Sequence, residues 1–109
     1  MTEGRILIDG TKDDQEKNRI ELMPFDALVE LGKLYTIGAR KYGDRNWEKG
    51  IKYSRVFGAL MRHAWAWWNR EDNDPETGLS HIIHAAWNAL VLVAYTLRGM
   101  NNWDDRPIR

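Results

Sequence analysis

Two segments of this chain are apolar on more than one helical side, and that limits what it can fold into. Val56, Phe57, Leu60, Met61, Trp65 and Trp68 go most of the way round one segment. Ile82, Ile83, Ala86, Trp87, Leu90, Val91 and Val93 do the same on the next. A helix that is apolar all round is normally buried all round. A chain of 109 residues with one further amphipathic segment has too little surface to cover both by itself. The pattern predicts an all-α fold, a helical bundle of about three main helices per chain, completed by homo-oligomerisation into a homodimer or a tetramer. The competing reading is a monomer whose large aromatic side chains cover their own core.

Start and stop signals place the three helices. Pro24 suits a first turn, and Phe25, Leu28, Leu31, Tyr35, Ala39 and Tyr42 then recur at three- and four-residue steps until Gly43 stops the run. Ser54 reads as the N-cap of a second helix running over 55–72. Asp74 reads as the cap of the third, with Pro75 in its first turn, Arg98 near its end and Gly99 beyond. Residues 1–20 form a polar arm in which "RILIDG" reads as a short strand or an ordered arm, and 99–109 a short polar tail expected to pack loosely. With no repeat and no low-complexity linker, 1–109 reads as a single domain.

Composition removes several function classes. Lysine plus arginine balances aspartate plus glutamate at 16 each, so the zero net charge gives no reason to expect nucleic acid as a partner. The chain has no cysteine, which excludes disulfides and thiolate metal sites and fits a reducing compartment. The first residues are rich in charge and lack the apolar run of a secretory signal. The most apolar run, 82–97, is shorter than the roughly 20 residues a membrane span needs and is broken by His84 and Asn88. A soluble, cytoplasmic protein without a membrane partner is expected.

Against the apolar background the polar exceptions carry information. At about 100° per residue, His81, His84 and Asn88 share a narrow arc of the third helix, while His63, Trp67 and Glu71 follow one another at four-residue steps on the second. A short turn at "EDNDP" makes the two helices antiparallel. It gathers Glu71, Asp72, Asp74 and Glu76 near all three histidines of the chain, His63, His81 and His84. One reading makes the acids caps and solvated surface and the histidines satisfied core residues. The other makes the cluster a centre for Mg²⁺ or Mn²⁺, since hard divalent ions take carboxylate oxygens and keep waters free for phosphates. The histidines then serve as ligands, as partners of the carboxylates or as acid–base groups.

The stretch "ARKYGDRNWEKG" between the first two helices supplies a complementary surface. Lys41, Arg45 and Lys49 suit phosphate groups, Arg as a fork and Lys as a point charge. Asn46 can read a base edge or a sugar hydroxyl, and Trp47 or Tyr42 offers a stacking face. The plain alternative is a solvated connector with Trp47 tucked into the core.

The elements "KYGDRNWEKG", Arg62–His63, "ED.DPETG" from Glu71 and "H..HA..NAL" from His81 together resemble the phage dATP/dGTP diphosphohydrolases. This is the MazZ type of the all-α, MazG-like nucleotide pyrophosphohydrolases, and the likeness spans about 17–97. The resemblance implies an all-helical, Mg²⁺-dependent, homo-oligomeric enzyme that cuts purine deoxynucleoside triphosphates to the monophosphate and pyrophosphate, adjusting a phage deoxynucleotide pool. The general MazG pattern pairs an ExxE with an ExxD. Here Glu71–Asp74 is an ExxD and no ExxE exists, so histidines take up much of the inner face.

The expected assignment makes Glu71, Asp74 and His63 catalytic and gives the metal to Glu71, Asp74 and His81. Lys41, Arg45, Asn46, Trp47, Lys49, His84 and Asn88 then meet the substrate. An HD-type phosphohydrolase is set aside because no histidine precedes an aspartate. A non-catalytic nucleotide-binding or interaction protein stays open, as does a bundle whose histidines hold Zn²⁺ structurally.

Overall fold

The computed structural model describes residues 16–109. The "RILIDG" segment lies outside them. Among the described residues the fold is all-helical: α1 (Phe25–Tyr42), α2 (Tyr53–Trp68) and α3 (His81–Leu97), with 3₁₀ turns at Ile20–Leu22, Asn46–Lys49 and Asn101–Trp103.

Helices α2 and α3 run antiparallel as a hairpin. Tyr53 from the start of α2 stacks on Tyr95 near the end of α3, with ring centroids 5.8 Å apart. Toward the other end His63 stacks on His84 at 4.4 Å. The buried positions of α3 are His81, Ala85, Asn88, Val91 and Tyr95, one stripe at three- and four-residue spacing. Its apolar half joins Tyr53 and Val56 in the core, and its polar half faces the site. Helix α1 packs on α3 through Tyr35 against Trp87, centroids 5.6 Å apart, and buries Leu34. Gly43, with φ +98, ends α1 and returns its N–H to the Ala39 carbonyl.

The boundaries around the hairpin turn differ from expectation. Helix α2 stops at Trp68 rather than running to residue 72, and Arg70 takes a left-handed backbone with φ +71. Helix α3 begins at His81, and Ser80 caps it by accepting the Ile82 N–H at 3.2 Å. Asp74 and Pro75 therefore lie in a 69–80 loop, where Asp74 organises the loop and caps no helix. Ser54 is also not a cap. It lies inside α2, and its N–H and hydroxyl both donate to Asp105, so an acceptor from the tail satisfies the helix start.

That contact also corrects the loosely packed tail. Trp103 packs against the core, and the Arg106 guanidinium lies 5.7 Å from the Tyr53 ring centroid. The apolar excess noted in the sequence remains on the outside of the chain. Phe57, Met61, Trp65 and Trp68 form an exposed stripe on α2, and Ile82, Leu90, Val93 and Leu97 another on α3. No helix among the described residues is long and apolar enough to cross a membrane.

Trp103 lies directly on Gly50, whose φ is +106. A Cβ placed there would come within 2.2 Å of the indole. Gly50→Ala is expected to lower the unfolding free energy by about 1–3 kcal/mol through overpacking and backbone strain. Urea denaturation monitored by tryptophan fluorescence measures the shift.

Candidate active site

The 69–80 loop folds back on itself like a miniature hairpin. Asn73 bridges Ser80 in antiparallel fashion, the Asp74 N–H donates to the Leu79 carbonyl at 2.8 Å, and the His81 N–H donates to the Asp72 carbonyl at 2.8 Å. These bonds hang Glu71 and Asp74 beside the first turn of α3, where His81 and His84 point toward α2 and meet His63.

Two hydrogen-bond chains run through the cluster. In the first, a Glu71 carboxylate oxygen lies 2.6 Å from His81 Nε2, and His81 Nδ1 lies 2.8 Å from His63 Nδ1. An ionised carboxylate only accepts, so His81 Nε2 carries the proton, and a single proton lies between the two Nδ1 atoms. In the second, Asp74 Oδ2 accepts from the Thr77 N–H at 2.9 Å and from the Thr77 hydroxyl at 3.1 Å. That hydroxyl, having donated its proton, accepts from His84 Nε2 at 2.7 Å.

The environment lowers the pKa of three of these groups, for different reasons. Burial holds His63 below the ordinary histidine range, helped by the neighbouring His84 and His81 and opposed by Asp74. Burial does the same to His84, again against the pull of Asp74. For Asp74 burial pushes upward, but the Thr77 hydrogen bonds and the nearby histidines outweigh it and leave the carboxyl below its usual value. The cluster thus keeps two neutral imidazoles beside an ionised carboxylate at neutral pH. His63, Asp74 and His81 each offer a ligand atom, all within 4.8 Å of one another.

A groove of about 980 Å³ connects this cluster to the stretch after α1. Lys41, Arg45, Asn46, Trp47, His63, Asp74, His84 and Asn88 all line it. Lys41, in the last turn of α1, reaches across to Glu76 at 2.9 Å, and that hydrogen bond raises its pKa. Arg45 is in the left-handed region with φ +53, a conformation that costs a non-glycine residue roughly 1 kcal/mol. Asn46 opens the 3₁₀ turn.

Trp47 serves the core as well as the groove. Its ring packs edge-on to Tyr35 at 6.3 Å and against Tyr95 at 6.2 Å, with the Arg98 guanidinium 5.1 Å from its centroid. Lys49, Glu71 and His81 are not in the groove wall. Lys49 is exposed on the 3₁₀ turn, while His81 is buried behind His63 with Glu71 at its back.

Four contributors escape a reading of the sequence. Thr77 links Asp74 to His84, and only a D-x-x-T turn signature hints at it. Tyr35 and Trp87 give the groove aromatic walls, but helical periodicity marks them simply as core. The Tyr95 hydroxyl, fully buried, donates to the Trp47 carbonyl at 2.6 Å and pins the loop carrying Arg45 and Asn46. No local pattern signals that long-range bond.

Residues 8–106 match the family described as dATP/dGTP diphosphohydrolase, N-terminal. The chain belongs to this family. It is also 36% identical over 97 residues to a dATP/dGTP diphosphohydrolase of Salmonella phage PMBT28, an alignment that covers 89% of this chain and 33% of that protein. The chain therefore spans about a third of the length of the relative it matches. No solved structure matches it.

The two depressed histidines set a pH dependence. Above the unfolded-state histidine pKa of about 6.5 both states are neutral there and the groups add no slope. Below it the unfolded chain binds protons that His63 and His84 refuse, so stability falls as pH falls. The melting temperature of EDTA-treated protein is expected to drop between about pH 7.5 and 5.5. In His84→Gln the drop should be shallower. Differential scanning fluorimetry across that range checks both.

Proposed function

We propose that this chain is the catalytic domain of a metal-dependent hydrolase acting on purine deoxynucleoside triphosphates, dGTP and/or dATP, and releasing the monophosphate and pyrophosphate. The observation that carries this reading is the single groove joining a cationic loop to a cluster of neutral histidines and an ionised carboxylate. Its volume is in the range of small-molecule sites. The activity for which the phage relative is named supplies the substrate class.

A divalent cation suits the donors present: His63, Asp74 and His81 would hold it, with Glu71 behind His81. Bound there, such an ion would stabilise charge on the phosphates and make a water more acidic. The chain's own residues do the rest. Lys41 exchanges Glu76 for a phosphate oxygen, and Arg45, already poised over the groove, forks onto the triphosphate. His63, held neutral by burial, has an unprotonated ring nitrogen to offer the ion. Asn46 and Asn88 offer amides to the nucleoside, and Trp47, Tyr35 and Trp87 exclude water around it.

The exposed stripes on α2 and α3 support a homodimer or tetramer in which a second copy covers them. A phage enzyme of this kind would act in the host cytoplasm.

The test incubates the protein with each common ribo- and deoxynucleoside triphosphate, with a divalent cation and with EDTA, and resolves the products. Cation-dependent formation of dGMP or dAMP with pyrophosphate is expected. Asp74→Asn should cost at least about a hundredfold in kcat/KM. Arg45→Ala should raise KM about tenfold, the equivalent of one charge-assisted hydrogen bond. Absence of turnover with every nucleotide would replace the proposal with a nucleotide-binding module.

A further inference from the structure

We infer that His63, Asp74 and His81 form a two-histidine, one-carboxylate ion site that selects a transition-series divalent ion, such as Mn²⁺, Fe²⁺, Co²⁺ or Zn²⁺, over Mg²⁺, with Glu71 acting as the group that orients His81. The inference deepens the proposed function and rests on this cluster being its ion centre.

The first observation is the approach of the two imidazoles. His63 Nδ1 and His81 Nδ1 lie 2.8 Å apart. Two nitrogens bound to one ion at bonds of about 2.0–2.1 Å stand roughly 2.9–3.4 Å apart in octahedral or tetrahedral geometry. The pair therefore sits almost at the edge length of a coordination polyhedron, and a cation would take the place of the one proton between them.

Glu71 provides the second observation. It is held 2.6 Å from His81 Nε2, on the opposite side of the ring from His63. That bond fixes the proton on Nε2 and leaves Nδ1 bare. A carboxylate behind a ligating histidine is the usual way such a ring is oriented and made more basic. Glu71 thus does its work one bond away from the ion.

The third observation is where the oxygen donors are committed. Glu76 is paired with Lys41 at 2.9 Å. Glu71 faces His81, and Asp72 is exposed. Asp74 is the carboxylate that shares the three-ligand group with the histidines. Mg²⁺ demands oxygen ligands and gives up water reluctantly, so two imidazoles among three protein donors suit it poorly. The same donors suit the later divalent ions, whose affinity for nitrogen rises along the transition series.

The experiment titrates EDTA-stripped protein with MgCl₂, MnCl₂, CoCl₂ and ZnCl₂ by isothermal titration calorimetry, without nucleotide. At least tenfold tighter binding of Co²⁺ and Zn²⁺ than of Mg²⁺ is expected. Zn²⁺ should also shift the imidazole ¹⁵N signals of two histidines in the unmutated chain, a readout that needs no variant to fold. His63→Gln and His81→Gln, checked for helix content by circular dichroism, should each abolish the preference. Glu71→Gln should keep it while weakening binding about ten- to a hundredfold.

Equal affinity for Mg²⁺ and Zn²⁺, unshifted imidazole signals, or a preference that survives His63→Gln would overturn the assignment. Selective ion binding without turnover of any nucleotide would sink the proposed activity and leave the ion site standing. Turnover with Mg²⁺ and no selective site would do the reverse.

Discussion

The antiparallel seam between α2 and α3 is the constraint on which the rest depends. Its two ends are held by different chemistry: stacked tyrosines and valines at one, stacked histidines at the other. Because both ends belong to one pair of helices, the apolar end sets the register of the polar end. Close packing of Tyr53, Val56, Val91 and Tyr95 leaves little freedom to slide, and so His63 meets His81 and His84 at fixed height. The cluster is rigid because the core a few turns away is rigid.

Polar satisfaction explains why the histidine end tolerates burial. Every member has a partner that is itself partnered. Glu71 supports His81, which shares a proton with His63, and Asp74 anchors Thr77, which receives His84. No described buried side-chain polar atom lacks a partner. A network of this kind stays low in energy only when complete, and it specifies tautomers as well as positions. The loop that carries its acids needs its own backbone ties, the Asn73–Ser80 bridge and the bond from the His81 N–H, to hold them there.

The other wall of the groove is secured from a distance. Tyr95 pins Trp47 through its carbonyl, Arg98 bonds Glu48 at 2.6 Å, and Trp103 rests on Gly50. The stretch 44–50 therefore owes its shape to the end of α3 and the tail, both remote in sequence. Arg45 holds an unfavourable φ at the groove because this scaffold around it is firm.

Helix type, number and approximate span followed from the three- and four-residue recurrence of apolar residues, because periodicity is a local property that burial of one face imposes. The convergence of His63, His81, His84 and Asp74 was legible for the same reason: an antiparallel hairpin leaves little choice of neighbours. The grouping of Lys41, Arg45 and Asn46 was legible from residue type alone. The sequence overreached at the hairpin turn. Asp74, Pro75 and Glu76 carry every local signal of a helix start, yet the tertiary bonds of the loop use Asp74 differently and move the start to His81. It underrated the tail, whose Trp103 and Asp105 gain meaning only against Gly50 and Ser54, about fifty residues earlier. Composition and periodicity determined a helical protein with a histidine–carboxylate end. Only the folded chain decided which nitrogen faces which, because a separation of a few ångströms between side chains on different helices is set by packing and leaves no local trace in the order of residues.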